Sequence, residues 1–196
     1  MRLVSIFDNC RKGIIMKALI INGSPHKNGD IKAMIDKVKQ KLPNDTKYEE
    51  LDLYIDSIKP CIDCRYCWQN IGCAIKDKMS IIYEDDYDLL IVASPIYMYN
   101  VTPPLFSLIT RLNYIWSNKH FLNYKNKFRS KQGIIILAGG GSGAPRHALE
   151  MINLMFSLLN VNFNSCNYLY SLNTNTIPAK DDQKLDELIN EIVVEI

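Results

Sequence analysis

Short apolar runs alternate along the chain with segments in which apolar residues recur every three or four positions. The runs are typical of strands buried on both faces of a parallel sheet, where hydrophobic residues follow one another without alternation. Five runs predict five strands: KALIIN at 17–22, TKYEELDL at 46–53, DLLIVAS at 88–94, GIIILAGGGSG at 133–143 and VNFNSCNYLYSL at 161–172.

The segments between the runs show the spacing of helices that bury one face. The residues expected to face the core are Ile31, Met34, Ile35, Val38 and Leu42 in the first helix; Leu105, Leu108, Ile109, Leu112 and Trp116 in the second; Leu149, Ile152, Met155, Phe156 and Leu159 in the third; and Leu185, Leu188, Ile189 and Ile192 in the last. A shorter helix is expected near residues 79–87. Strands that alternate with helices in this way predict βαβ crossovers, hence an α/β three-layer sandwich with a parallel sheet covered on both faces.

The length of 196 residues suits a single domain of this kind. Met16 stands directly before the first strand, so we expect residues 1–15 to be an extension outside the fold. Residues 16–196 then form one domain, which includes a cysteine-rich loop at 60–75. No linker or repeat divides it.

Composition and charge exclude several classes of protein. The net charge of +2 does not indicate a nucleic-acid-binding protein. The basic and aromatic stretch at 117–132 is interpreted as a solvated connection, so no nucleic-acid partner is expected. No apolar run approaches the ~20 residues of a membrane span. The start does not resemble an export signal, which predicts a cytoplasmic location and reduced thiols.

Three loops that follow predicted strands carry unusual residues. They are NGSPHKNGD at 22–30, SPIYMYN at 94–100 and AGGGSGAPRH at 138–147. Ligands of open parallel sheets bind beyond the carboxyl ends of the strands, where these loops should meet. The first loop can offer backbone N–H groups and a helix N-terminus to a phosphate. It matches neither the P-loop pattern nor the dinucleotide-binding pattern. Aromatic residues in the second and glycines in the third predict a flat ring beside that phosphate.

Four of the six cysteines lie in CIDCRYCWQNIGC, at Cys61, Cys64, Cys67 and Cys73. Four thiolates at this spacing suit one [4Fe–4S] cluster. Two alternatives involve other chemistry: a zinc site, or a redox dithiol formed by Cys64 and Cys67. In a third, the thiols hold no metal and serve only for packing.

Three stretches together carry a family resemblance: KALIINGSPHKNGD, LIVASPIYMYNVTPPLFSLITRL and IIILAGGGSGAPRHALE. They resemble the NADPH-dependent FMN reductase branch of the flavodoxin-like fold. The cysteines stand where the iron–sulfur flavoproteins of that branch carry theirs. The resemblance implies a flavodoxin-like sheet in the order 2-1-3-4-5, bound FMN and a [4Fe–4S] cluster.

The resemblance also implies the site residues. Those that would hold the FMN phosphate are Ser24, His26, Asn28, Gly29 and Asp30. Those that would line the ribityl chain and the ring are Pro95, Ile96, Tyr97, Met98, Tyr99 and Asn100. Those that would approach the ring from the third loop are Gly139, Gly140, Gly141 and Gly143. The cluster ligands would be the four cysteines, and no catalytic side chain is predicted. His26 stands where the family usually has arginine, and Asp30-Ile31 where it usually has Asn-Thr or Asn-Ser.

The expected activity is that of an oxidoreductase. The electron donor would be NAD(P)H or a ferredoxin-like protein, and the acceptor a small molecule or a protein redox partner. A homo-oligomer, dimer or tetramer, would let the cluster of one chain serve the FMN of another. Two alternatives stay open: a cluster-free NAD(P)H-dependent FMN or quinone reductase, and a flavodoxin-like electron carrier without a small-molecule substrate.

Overall fold

A computed structural model describes residues 15–164, 167–192 and 194 of the chain. Its strands are β1 (Lys17–Asn22), β2 (Lys47–Asp52), β3 (Leu89–Pro95), β4 (Lys131–Gly139), β5 (Val161–Asn162) and β6 (Tyr168–Leu172). They form one parallel sheet in the order β2-β1-β3-β4, with β5 and β6 both beside β4. The predicted order 2-1-3-4-5 is therefore confirmed.

The fifth position of the sheet holds two short strands instead of one. β5 pairs with the start of β4, at Lys131 and Gln132, whereas β6 pairs with its second half, Ile135–Gly139. The interruption falls in an asparagine-rich stretch, and asparagine is depleted in strands. Residues 165 and 166, which the predicted strand included, lie outside the described residues.

Helices cover both faces of the sheet, as predicted. They are α1 (Asp30–Lys41), α2 (Tyr66–Gln69), α3 (Ser80–Glu84), α4 (Pro103–Arg111), α5 (Asn113–Leu122), α6 (Arg146–Leu158), a 3-10 helix (Ala179–Asp181) and α7 (Gln183–Asn190). Because successive side chains of a strand point to opposite faces, Ile20 and Ile91 pack on the side of α1 and α7. Leu19 and Leu90 pack on the side of α3, α4 and α6.

One predicted core residue is wrong. The second predicted helix is divided at Leu112, whose N–H donates to the carbonyl of Ile109 at 3.0 Å, and α5 begins at the next residue. The division shifts the helical phase, so that Trp116 leaves the core face. Its side chain is 53% exposed and stacks on His120, with ring centroids 4.7 Å apart.

The ordered domain includes Met16, which is buried and accepts a hydrogen bond from Lys47 N–H at 2.8 Å. The predicted extension, residues 1–15, lies outside the described residues except for Ile15, and its placement stays a prediction. Across the described residues, no helix has the length and hydropathy needed to cross a membrane.

Candidate functional site

The loop between β1 and α1 presents an uncapped helix N-terminus. Its conformation is fixed locally: Ser24 N–H donates to Asn22 Oδ1 at 3.0 Å, and His26 N–H donates to Ser24 Oγ at 3.2 Å. Gly29 is the N-cap of α1, and no side chain caps the first turn. Backbone N–H groups at such an end, together with the helix dipole, can bind an anion.

The residues predicted around this anion site differ in what they can offer. His26, Lys27 and Asn28 are exposed beside the helix end. A Cβ atom at Gly29 would lie 2.9 Å from the Cβ of His26, so a larger residue would displace the histidine. The Asp30 carboxylate accepts from Ala179 N–H at 2.8 Å. It is thus engaged in a tertiary contact, and Asp30 can serve a phosphate only through its main chain.

The loop between β3 and α4 carries an exposed apolar turn. Tyr97 and Asn100 exchange two backbone hydrogen bonds of 2.8 and 2.9 Å. Between them, Met98 and Tyr99 have φ angles of 47° and 65°, the left-handed region that costs about 1–3 kcal/mol for a non-glycine residue. The turn exposes 92% of Met98 and 56% of Tyr99. This strain holds large apolar side chains in solvent, at the place where a flat ring is predicted.

The loop between β4 and α6 allows close approach of the backbone. A Cβ atom at Gly140 would lie 2.7 Å from Nδ2 of Asn175, and one at Gly143 would lie 3.5 Å from the Tyr99 ring. Residues after β6 close over this loop, because Thr174 N–H donates to the carbonyl of Gly139 at 3.0 Å. The glycine loop therefore lies against the aromatic turn, as predicted from the parallel sheet.

Thr102 joins the first two loops and was not predicted. It is fully buried; its hydroxyl donates to the carbonyl of Gly23 at 2.8 Å, and its N–H donates to Ser94 Oγ at 3.2 Å. Tyr54, after β2, lies beside it: burial and the nearby Tyr97 raise the pKa of Tyr54, whereas the Thr102 hydroxyl lowers it. The Thr-Pro-Pro sequence at the start of α4 was the available signal for Thr102.

The four predicted cysteine ligands line a single cavity with Trp68 and Tyr114 on its wall. Cys61 and Cys64 are exposed, and Cys67 and Cys73 are half-buried. Left-handed φ angles at Asp63 and Arg65 curl the chain between the first three cysteines. Although the four residues surround one cavity, no group of three or more His, Cys, Asp or Glu side chains in the described part of the chain is arranged to hold a metal ion.

Three side chains from α4 and α5, here called the loop anchor, hold the cysteine loop: Thr110, Arg111 and Asn118. Thr110 Oγ1 accepts from Cys61 N–H at 3.1 Å. Asn118, fully buried, donates to the carbonyls of Cys67 and Asn70 at 2.7 and 2.9 Å and accepts from Gly72 N–H at 2.9 Å. None of the three was predicted, although together they fix the first, third and fourth cysteines.

Arg111 joins the two ends of the cysteine loop. Its side chain is 1% exposed and donates to the carbonyls of Lys59 and Ile75, both at 3.0 Å, and to Asp77 at 2.8 Å. Burial acts to raise the pKa of Asp77, but its hydrogen bonds, that of Arg111 first, outweigh burial and lower that pKa. The guanidinium thus bridges the chain before Cys61 to the chain after Cys73.

Comparisons with known proteins identify the family of the chain. A model of the family described as NADPH-dependent FMN reductase matches residues 16–172. An iron-sulfur flavoprotein of Archaeoglobus fulgidus is 29% identical over 143 residues, 70% of this chain and 61% of that protein. An iron-sulfur flavoprotein of Methanosarcina thermophila is 28% identical over 143 residues, 70% of this chain and 71% of that protein.

A solved structure shares the fold. An FMN-dependent NADH-azoreductase of Bacillus anthracis, in complex with FMN, superimposes with a TM-score of 0.59 at 15% identity, over 89% of this chain and 95% of that one. At this identity the likeness concerns the fold alone. The chain spans about three fifths of the length of the Archaeoglobus relative.

Proposed function

Because the chain belongs to the NADPH-dependent FMN reductase family, we propose that it is an FMN-dependent oxidoreductase that takes electrons from NAD(P)H or from a ferredoxin-like protein. One observation carries this proposal: three loops with complementary chemistry meet at the carboxyl edge of the sheet, around the uncapped N-terminus of α1. The fold is shared with a protein that is described as FMN-dependent and that was solved with FMN.

The residues present fit FMN. The first loop offers the helix N-terminus to the phosphate, with Ser24, His26, Asn28, Gly29 and the main chain of Asp30 around it. The ribityl chain and ring would lie along Pro95, Ile96, Tyr97, Met98, Tyr99 and Asn100. Gly139, Gly140, Gly141 and Gly143 would let backbone approach from the other side, since none of them has a side chain to exclude the ring. Bound FMN would supply the exchange of electrons in pairs or singly, and the protein would supply binding and orientation.

The cysteine loop supports a [4Fe–4S] cluster as a second redox site. A [4Fe–4S] cluster takes one cysteine thiolate per iron, four in all. Cys61, Cys64, Cys67 and Cys73 lie in one short loop and line one pocket with Trp68 and Tyr114. Two relatives of the chain are themselves called iron-sulfur flavoproteins.

The exposed aromatic surface beside the cysteine loop supports a homo-oligomer, a dimer or tetramer. Helix α4 starts after Thr102 at the proposed flavin edge, and its rise of about 1.5 Å per residue takes Thr110 about 12 Å away from that edge. The cysteine loop is bound at that far end. Beside it lie exposed or half-buried rings that stack on one another, Trp68 on Phe121 at 4.2 Å and Trp116 on His120 at 4.7 Å. Such a surface suits a second copy, whose flavin would complete the path.

Anaerobic purification followed by metal and flavin analysis tests the proposal. We expect one FMN and about four iron and four sulfide per chain, the content of one [4Fe–4S] cluster, with NAD(P)H oxidation and an oligomer in analytical ultracentrifugation. Flavin without iron and sulfide would leave a cluster-free NAD(P)H-dependent FMN or quinone reductase. Flavin with negligible NAD(P)H oxidation but rapid exchange with a protein partner would indicate an electron carrier. A chain that binds no FMN would overturn the proposal.

A further inference from the structure

Arg111 has one more donor than its structural role uses. A guanidinium has five N–H groups. Four of them are directed to the carbonyls of Lys59 and Ile75 and to the two carboxylate oxygens of Asp77. The fifth, at Nε, is buried and has no hydrogen-bond partner in the structure. A buried donor without a partner lowers the stability of the fold, so this N–H calls for an acceptor.

Two polar side chains lie beside the guanidinium: Cys73 and Tyr83. The Tyr83 hydroxyl is itself buried and without a partner. The Tyr83 ring packs edge-on against the Tyr114 ring at a centroid distance of 4.8 Å, and Tyr114 lines the same pocket as Cys73. Two unpartnered donors, an N–H and an O–H, therefore lie beside the part of the cysteine loop that carries Cys73.

We propose that Arg111 and Tyr83 are positioning residues that donate Nε–H and O–H to Sγ of Cys73 when this sulfur is a thiolate ligand. This inference rests on the proposed cluster. Hydrogen bonds to an ionised acceptor are stronger than those to a neutral one, so the two donors would gain in the loaded protein the partner that they lack here. Cys73 would then be a ligand with a buried guanidinium beside its sulfur.

The consequence for the redox site has a definite sign. Hydrogen bonds to ligating sulfurs and nearby positive charge are among the factors that set the potential of a cluster. Both favour the reduced form, which carries one more negative charge. Removal of either donor is therefore expected to lower the reduction potential, even where the loop stays closed.

The first experiment examines, without a cluster, whether the Arg111 Nε–H lies next to the Cys73 thiol that becomes its acceptor on loading. In the full chain before reconstitution, an NMR spectrum selective for arginine Nε–H should show that the Arg111 signal moves in Cys73→Ala and stays in Cys61→Ala. A signal that does not move in Cys73→Ala would mean that this sulfur does not lie next to the Arg111 Nε–H, and would overturn the inference.

The second experiment measures the reduction potential of the reconstituted full chain. Arg111→Lys keeps the positive charge but lacks the planar guanidinium and its Nε–H. We expect the reduction potential of this variant to be lower than that of the wild type. Tyr83→Phe should shift it in the same direction and serves as the test if Arg111→Lys does not fold. The matched control is Arg65→Lys in the same loop, where the guanidinium is exposed over the Trp68 ring at 4.8 Å. An equal shift in Arg65→Lys would overturn the specific role of Arg111. A wild-type chain that takes up no iron and sulfide would refute the cluster, whereas the NMR result would still decide the contact.

Discussion

Two buried cations, Arg111 and Lys131, occupy opposite situations in the same domain. Lys131 is 3% exposed at the start of β4; its ammonium pairs with Asp85 at 2.6 Å and donates to the carbonyls of Arg129 and Leu159 at 2.6 and 2.9 Å. An ammonium has three donors, and these three oxygen atoms lie within 2.9 Å of it. Arg111 is as deeply buried but keeps one donor without a partner.

The difference separates a purely structural cation from one with a second role. The Lys131 ammonium has three oxygen partners within the fold and joins β4 to the loop after α3 and to the end of α6, and Asp85 Oδ1 has no hydrogen bond beyond this ion pair. The Arg111 network joins the two ends of the cysteine loop and leaves Nε, for which Cys73 is the proposed acceptor, without a partner. A buried charge whose hydrogen bonds are all satisfied by the fold gives no reason to infer a ligand, whereas an unsatisfied one beside a predicted ligand does.

Removal of either cation should produce the largest loss of stability. Arg111→Met and Lys131→Met each leave a carboxylate and two carbonyls without their partner, and breaking a buried ion pair in this way costs about 3–5 kcal/mol. Urea denaturation measures the free energy of unfolding. Hydrogen exchange then separates the two variants: only Arg111→Met should increase exchange across residues 59–77.

Faster exchange of residues 59–77 in Lys131→Met, to the same extent, would contradict the separation of the two networks. A matched charge control is Arg146→Met, since the Arg146 side chain is 79% exposed and its ion pair with Glu150 lies on the surface of α6. It should lose much less stability than either buried cation.

Asn118→Leu should have the next largest effect and should act on the cysteine loop alone. It leaves the backbone groups of Cys67, Asn70 and Gly72 without their partner, which we expect to cost about 2–3 kcal/mol. The unfolding free energy and the iron content after reconstitution should both fall. Lys119→Ala, the adjacent exposed position on α5, is the control and should change neither. Normal iron content in a folded Asn118→Leu chain would show that the anchor does not shape the loop.

Two buried or half-buried threonines allow a smaller, reciprocal test. Thr102→Val removes the hydrogen bond to Gly23 in the proposed flavin site, whereas Thr110→Val removes the acceptor of Cys61 N–H. A hydrogen bond contributes about 0.5–1.5 kcal/mol, which corresponds to about a 2- to 10-fold change in affinity. Fluorescence titration should show weaker FMN binding in Thr102→Val only, and iron analysis less cluster in Thr110→Val only. Equal effects on both ligands would mean that the two sites are not independent.

Two tyrosines, one beside each cation, predict an alkaline effect. Burial raises the pKa of both Tyr83 and Tyr87. Because the folded phenols keep a proton that the unfolded chain loses above its pKa of about 10, stability decreases as pH rises through this value. Each tyrosine contributes a loss of about 1 kcal/mol between pH 10 and 11. Urea denaturation at pH 10 and 11 should show a smaller decrease in the free energy of unfolding for Tyr83→Phe and for Tyr87→Phe than for the wild type. The decrease should be smaller still in the double variant. An unchanged slope in both single variants would refute this.

The sequence predicts the sheet well because its central strands are buried on both faces and give long apolar runs. The meeting of the three loops follows from the parallel arrangement, which places their ends at one edge. The fifth strand and the position of Trp116 are harder to predict from the sequence, for a common reason. A break within a helix or strand changes the direction of every side chain that follows it. The hydrogen bond from Leu112 to Ile109 that divides α4 from α5 leaves no mark in the apolar pattern.

The loop anchor was missed because its partners are distant in sequence. Arg111 binds groups 34 to 52 positions away, and Asn118 binds groups 46 to 51 positions away. A local signal for Arg111 nevertheless exists: it lies three residues after Leu108 and one before Leu112, on the face of the helix that is otherwise apolar. A charge in such a stripe must be paired. The pattern therefore indicates a buried cation but cannot identify its partners.

The contact between Asp30 and Ala179 affects when the proposed phosphate site can form during synthesis of the chain. The carboxylate at the start of α1 is tied to an N–H 149 positions later. During translation the first helix emerges early, yet its N-terminal turn cannot gain this contact until residue 179 has left the ribosome. Domains acquire native contacts as their parts emerge, at about 5–20 residues per second. The proposed phosphate site would therefore lack this hydrogen bond for several seconds. The nascent chain would acquire its full affinity for a flavin only late in its synthesis.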